Sequence, residues 1–245
     1  MNNEIDNNLQ LYYGYFLHEI CGLKKSTVKH YDDALKKISK ILIEKSQLQN
    51  SIYEIRNVDE LWEMMEKLKK DEDFLALDRR GHGMYSAGFK NYFKFASGEM
   101  FKRLTQDLTV LDVPMPARGK VDRVVKEYPR SAIIPSQVIQ YSDYKCEMNV
   151  EHQSFIDSRS NKPYMEGHHA IPLRYQGKFE YSLDIYANVV SLCPICHRKI
   201  HYGIANDRRL MMDTIWEKRI KRLVKCGIHI SKAEFESLIL DDRQN

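Results

Sequence analysis

Apolar residues recur at three- and four-residue intervals through roughly the first hundred positions, the spacing of helices that bury one face. The aromatic-rich segment LQLYYGYFLHEI (residues 9–20) predicts a first helix that stops at Cys21-Gly22. Val28, Tyr31, Leu35, Ile38, Ile41 and Leu42 mark the inner face of a second helix, opened by Ser26 or Thr27 as N-cap. A third, capped by Asn57 or Asp59, aligns Leu61, Trp62, Met65 and Leu68. The polar stretch DRRGHGMYS reads as a turn, and a fourth helix follows through Phe89, Tyr92, Phe93 and Phe95. The pattern over residues 1–111 therefore predicts an all-helical domain. Its rings, Tyr12, Tyr13, Tyr15, Phe16, Tyr92, Phe93 and Phe95, belong to its core, the alternative being a cage for a flipped or methylated base.

Between residues 112 and 135 the periodicity stops. Four prolines and the run PMPARGKVDRVVKEYPR predict a linker, and from Arg118 to Arg130 it carries five basic residues against two acidic. Arg118 and Lys120 are placed to lie near phosphate, or simply in solvent. Residues 136–245 form a second domain. In it, RRLMMDTIWEKRIKRLVKCGIHI predicts a long helix with Leu210, Met211, Ile215, Ile220, Leu223 and Val224 inward and Gly227 as its stop. Ser231 caps a short last helix ending near Leu240. Arg208 and Arg209 begin a set of seven basic residues against two acidic on the long helix, a solvated face or a phosphate-binding one. The fold expected is mainly α with a small α+β part.

Composition narrows the class. Hydrophobic content of 43% and a mean hydropathy of -0.54 fit a globular protein, and no apolar run approaches the roughly 18 residues of a membrane span. No basic leader followed by an apolar run opens the chain, so the expectation is cytoplasmic. A net charge of +4 is too small to argue by itself for nucleic acid. The five cysteines are odd in number, which does not suit a disulfide framework. Three of them, with five of the nine histidines, fall between residues 146 and 201.

That cluster points to metal chemistry, the alternatives being unliganded buried thiols and surface histidines that bind metal only incidentally. Cys193 and Cys196 offer two thiolates at C-x2-C spacing, and Cys146 supplies a third from a separate loop. Tetrahedral zinc takes four such ligands, and since CEMNVEHQSF has no second cysteine, His152 is the best fourth. Other histidines remain. EGHHAIPL sets His168 and His169 on a strand entering a turn, and HRKIH sets His197 and His201 on one face of a helix. Two imidazoles from a helix and one from a strand can hold a divalent ion with positions left open, the arrangement of catalytic rather than structural sites. A spare histidine beside such an ion can act as a base.

Taken together, Cys146, EGHHAIPL and NVVSLCPICHRKIH resemble the HNH (ββα-metal) endonuclease superfamily, in its zinc-supported branch of McrA-like and other bacterial restriction enzymes. The resemblance covers about residues 144–203. It implies a zinc-stabilised ββα-metal nuclease domain with flanking helices, in which His169 is the general base and His168, His197 and His201 hold the catalytic ion. Asn188 would brace the loop that carries the base, and Glu166 would orient an imidazole. His152 departs from the family pattern, where a cysteine is expected. KKSTVKHYDDALKKISKIL and MYSAGFKNYFKFASG also resemble the helical DNA-arm domains of tyrosine recombinases.

The activity implied is metal-dependent hydrolysis of double-stranded DNA, with structural zinc and a catalytic magnesium, manganese, nickel or zinc ion. Restriction of specific or modified sites competes with structure-selective or mobile-element cleavage. A non-catalytic zinc-stabilised DNA-binding module is the reading from another class. Arg79, Arg80 and His82 are the exposed candidates for DNA contact in the helical domain, and cutting both strands would call for a homodimer.

Overall fold

Helical periodicity in the N-terminal half resolves into amphipathic helices closed around stacked aromatic rings. The computed structural model describes residues 8–55, 58–101, 108–117 and 131–240, in two compact units, Met1–Leu104 and Thr105–Asn245. Among the described residues of the first unit the regular elements are all helical. They are α1 (Asn8–Tyr15), which continues as a π-helical turn (Phe16–Ile20), α2 (Lys25–Glu44), α3 (Val58–Leu68), α4 (Glu72–Arg80) and α5 (Met84–Ala96). Tyr13, Phe16, Tyr53, Tyr92, Phe95 and Phe101 meet at ring-centroid distances near 5 Å, mostly tilted or edge-on. Each such pair adds about 0.5–1.5 kcal/mol to the burial of its surface. Gly88 lets α5 approach α2, since a Cβ there would come within 3.1 Å of that of Ala34.

Several local expectations change. The cap of α2 is Lys24, with no side-chain bond, and Ser26 and Thr27 lie inside the first turn. The inner face of α3 runs through Leu61, Met64 and Leu68, and Trp62, 48% exposed, rests on Phe93 instead. DRRGHGMYS is not all turn. Asp78, Arg79 and Arg80 end α4, which Asp71 opens by accepting from Phe74 N at 2.9 Å. Asp78 then accepts from the backbone N–H groups of Tyr85 and Ser86, each at 3.0 Å, and so satisfies the first turn of α5. Asn57 lies outside the described residues.

The second unit is built on a two-stranded antiparallel sheet. It contains α6 (Ile133–Tyr141), β1 (Glu166–His169), β2 (Val189–Leu192), α7 (Pro194–Tyr202), α8 (Ala205–Lys225) and α9 (Lys232–Leu240). Glu166 stands opposite Leu192, and His169 opposite Val189. Every residue of β2 is buried, because α6 and α7 both pack against the sheet. Gly167 is where α6 comes closest, and a Cβ there would lie 2.4 Å from that of Pro135. No helix among the described residues is long and apolar enough to cross a membrane.

Helix α8 buries Met211, Ile215 and Leu223 of its expected inner face, but not the rest of it. Leu210 and Val224 are exposed, at 61% and 44%, whereas Met211, Met212, Ile215 and Leu223 are buried together with Arg208 and Arg219. Arg208, only 1% exposed, donates through Nε to Ile200 O at 2.9 Å, and Arg219 pairs with Glu147. Arg222 grips buried Asp112 with two bonds, of 2.6 and 2.9 Å. The start of the stretch expected as linker thus packs within this unit. Met115 is buried and accepts from Ser182 N at 2.8 Å, and Pro116 bridges Tyr181. At its far end, α6 begins inside the stretch; Arg118 and Lys120 lie outside the described residues. Gly227, at φ 78°, ends α8 as a Schellman cap: Ile228 N donates to Leu223 O and Gly227 N to Val224 O.

Candidate metal and nuclease site

Two groups of metal-binding side chains are assembled around the start of α7. The first is Cys146, His152, Cys193 and Cys196, whose donor atoms lie within 4.8 Å of one another. Cys193 is the extended residue that caps α7, and its thiol accepts from Cys196 N at 3.5 Å. Pro194 supports the turn, because its missing N–H would have no partner at a helix start. His152 Nδ1 stands 3.3 Å from the Cys196 sulfur and 3.8 Å from that of Cys193. Cys146 is fixed through its neighbour: Glu147 N donates to Ser191 O at 2.8 Å, and Glu147 Oε1 accepts from Ser191 N at 2.9 Å. Burial and the neighbouring Cys146 and Cys193 push the Cys196 thiol up; burial also raises the Cys146 thiol, but there bonds from backbone N–H groups and His152 outweigh it and bring the value to about 7. Such a thiol ionises readily toward a cation. Three sulfurs and one imidazole suit tetrahedral zinc.

The second group is His168, His197 and His201, again within 4.8 Å. Their ring centroids are 4.9–5.2 Å apart and their planes cross at 66–72°. Helical spacing puts His197 and His201 one turn apart on α7, and β1 brings His168 against them. His197 Nδ1 lies 2.5 Å from Glu166 Oε2. The carboxylate only accepts, so Nδ1 carries the proton and Nε2 is left as a lone pair, 3.3 Å from His201 Nε2. His168 Nε2 is buried with no hydrogen-bond partner. Burial, followed by the neighbouring His201 and His197, holds its ring neutral by pushing its pKa well below the usual histidine value. An orphaned buried nitrogen beside two further imidazole nitrogens fits a divalent ion bound through nitrogen.

His169 belongs to neither group. Successive residues of a strand point to opposite faces, so with His168 turned toward α7, His169 is turned away. Its Nε2 lies 2.9 Å from Asp184 Oδ1. Asn188 sits between the two segments. Its Oδ1 accepts from Ile171 N at 2.7 Å, while its Nδ2 donates to Ile171 O at 2.8 Å and Leu183 O at 2.9 Å. Its own carbonyl accepts from Ala170 N at 2.7 Å.

Candidate DNA-contacting residues are scattered. Arg79, Arg80 and His82 are exposed around the α4–α5 turn of the first unit, and Arg209 is exposed on α8. Arg208 is not available to DNA, because its guanidinium is spent inside the fold on Ile200 O. Asp184 is the functional candidate that sequence reasoning missed. Only the folded loop sets it against His169, and no fixed spacing announces it.

Residues 150–203, which carry every donor of the two groups except Cys146, match the family model of the HNH endonuclease. The chain is also 37% identical over 84 residues to the type IV methyl-directed restriction enzyme EcoKMcrA of Escherichia coli (strain K12). The aligned stretch spans 34% of this chain and 28% of that enzyme.

Proposed function

We propose that the chain is a metal-dependent DNA endonuclease of restriction type, cutting phosphodiester bonds at the HNH site. The observation that carries this reading is the completeness of the site: three converging imidazoles, and on the opposite face of β1 a fourth held by a carboxylate. A decayed scaffold would be expected to have lost one of them. The similarity to a methyl-directed restriction enzyme supports a target of specific or modified double-stranded DNA.

In this mechanism His169 accepts a proton from the attacking water. His168, His197 and His201 would hold the catalytic ion, with Glu166 fixing the ring of His197. A divalent ion bound there would supply positive charge to offset the charge developing on the phosphate and on the leaving oxygen. Asn188 keeps the loop after β1 in register. Cys146, His152, Cys193 and Cys196 hold a structural zinc. The helical unit selects the target, with Arg79, Arg80 and His82 on DNA, and Arg209 contacts phosphate. A homodimer brings one site to each strand.

The test is cleavage of methylated and unmethylated plasmid by wild type and His169→Ala, with added magnesium or manganese. Cleavage by the wild type is expected, with His169→Ala keeping only a small residual rate. Absence of cleavage of either plasmid, with zinc and DNA binding retained, would transfer the reading to a non-catalytic DNA-binding module.

A further inference from the structure

We propose that Asp184 is a positioning residue of this site: its carboxylate fixes His169 as the Nε2–H tautomer and leaves Nδ1 bare to take the proton from water. The inference rests on reading His169 as the general base. A carboxylate oxygen can only accept, so the ring nitrogen 2.9 Å away carries hydrogen, and a neutral imidazole has no second proton for Nδ1. Both side chains are largely withdrawn from solvent, with exposures of 14% and 12%, so water competes weakly for the bond.

Asp184 is itself held. Its Oδ2 accepts from Ser131 N at 2.6 Å, and its own N–H donates to Ser182 Oγ at 3.1 Å. Asn188 completes the arrangement. One amide donates both to Ile171 O, two residues after His169, and to Leu183 O, one residue before Asp184. The amide therefore ties the segment of the base to the segment of its partner.

The proton step balances as follows. One O–H bond of water breaks and its proton goes to Nδ1, while the oxygen forms a bond to phosphorus. The P–O bond to the leaving group breaks with its electron pair on the departing oxygen, which is protonated by solvent. The imidazolium formed at His169 then faces the Asp184 carboxylate, which stabilises it, as a backbone carbonyl would do less well.

The experiment uses the full-length, zinc-loaded protein with isotopically labelled histidine. Long-range proton–nitrogen NMR at mildly alkaline pH assigns the tautomer of His169, identified by its disappearance in His169→Ala. The Nε2–H form is expected; the Nδ1–H form would overturn the proposal, and this readout stands even should Asp184→Asn fail to fold. With Asp184→Asn, kcat should fall by about a hundredfold or more with KM for plasmid unchanged, and Asp184→Glu should recover part of it. In the His169→Ala background Asp184→Asn should leave the residual rate where it was. A drop there as large as in the wild-type background would mark Asp184 as merely structural and overturn the assignment. A wild type that cuts no DNA would instead overturn the nuclease reading and the proton step with it, while the tautomer still decides the contact.

Discussion

Cys196 and His197 are consecutive residues of α7, yet one belongs to a group of four donors and the other to a group of three. The four-donor group has three buried sulfurs and as many ligands as tetrahedral zinc takes, so an ion there would have no position left for substrate. The three-donor group is all imidazole, with His197 and His201 partly exposed, and an ion there retains open positions. One turn of helix separates them. What differs is the ligand count and the direction each side chain takes from the helix, and on the proposed reading these would decide whether an ion stabilises the fold or acts on a phosphate.

That comparison can be broken at its ends. The largest effect expected is from Cys193→Ala, which removes one sulfur and the cap of α7 at once. Binding of structural zinc in small domains contributes about 10–16 kcal/mol, so the cooperative unfolding of the second unit should vanish in calorimetry. Asn188→Ala comes next. It leaves Ile171 N, Ile171 O and Leu183 O buried without their partner, at about 1–3 kcal/mol for each group, read as a lowered Tm with zinc retained. Glu166→Gln should leave stability nearly unchanged and weaken the catalytic ion by roughly 10–100-fold, measured as the manganese concentration for half-maximal cleavage. Arg79→Ala with Arg80→Ala should be the mildest. Each lost phosphate contact lowers the salt slope of DNA binding by about 1 in a filter or anisotropy titration.

Much of the metal chemistry was legible because few residue types bind ions, and the spacings of Cys193 and Cys196 and of His197 and His201 set their directions on a helix. Gly227 and Ser231 were legible for similar reasons. A positive φ marks the first, and Ser231 and Glu234 bond each other's backbone N–H, at 3.3 and 2.9 Å. Helix α4 was missed because its ends are polar and Gly81 and Gly83 read as a turn. The buried arginines of α8 were hidden because a charge count cannot separate a solvated cation from one bonded inside, as Arg208 and Arg219 are. Asp184 was invisible for a related reason. Its partner lies fifteen residues away across a loop whose path no periodicity fixes.

The most direct test of the division between the two groups is zinc content per chain in His201→Ala against Cys193→Ala, purified in parallel and measured by elemental analysis. The account predicts about one tightly held zinc in His201→Ala, as in wild type, and its loss in Cys193→Ala. Equal loss of zinc in both would contradict it, because the two groups would then serve a single structural purpose.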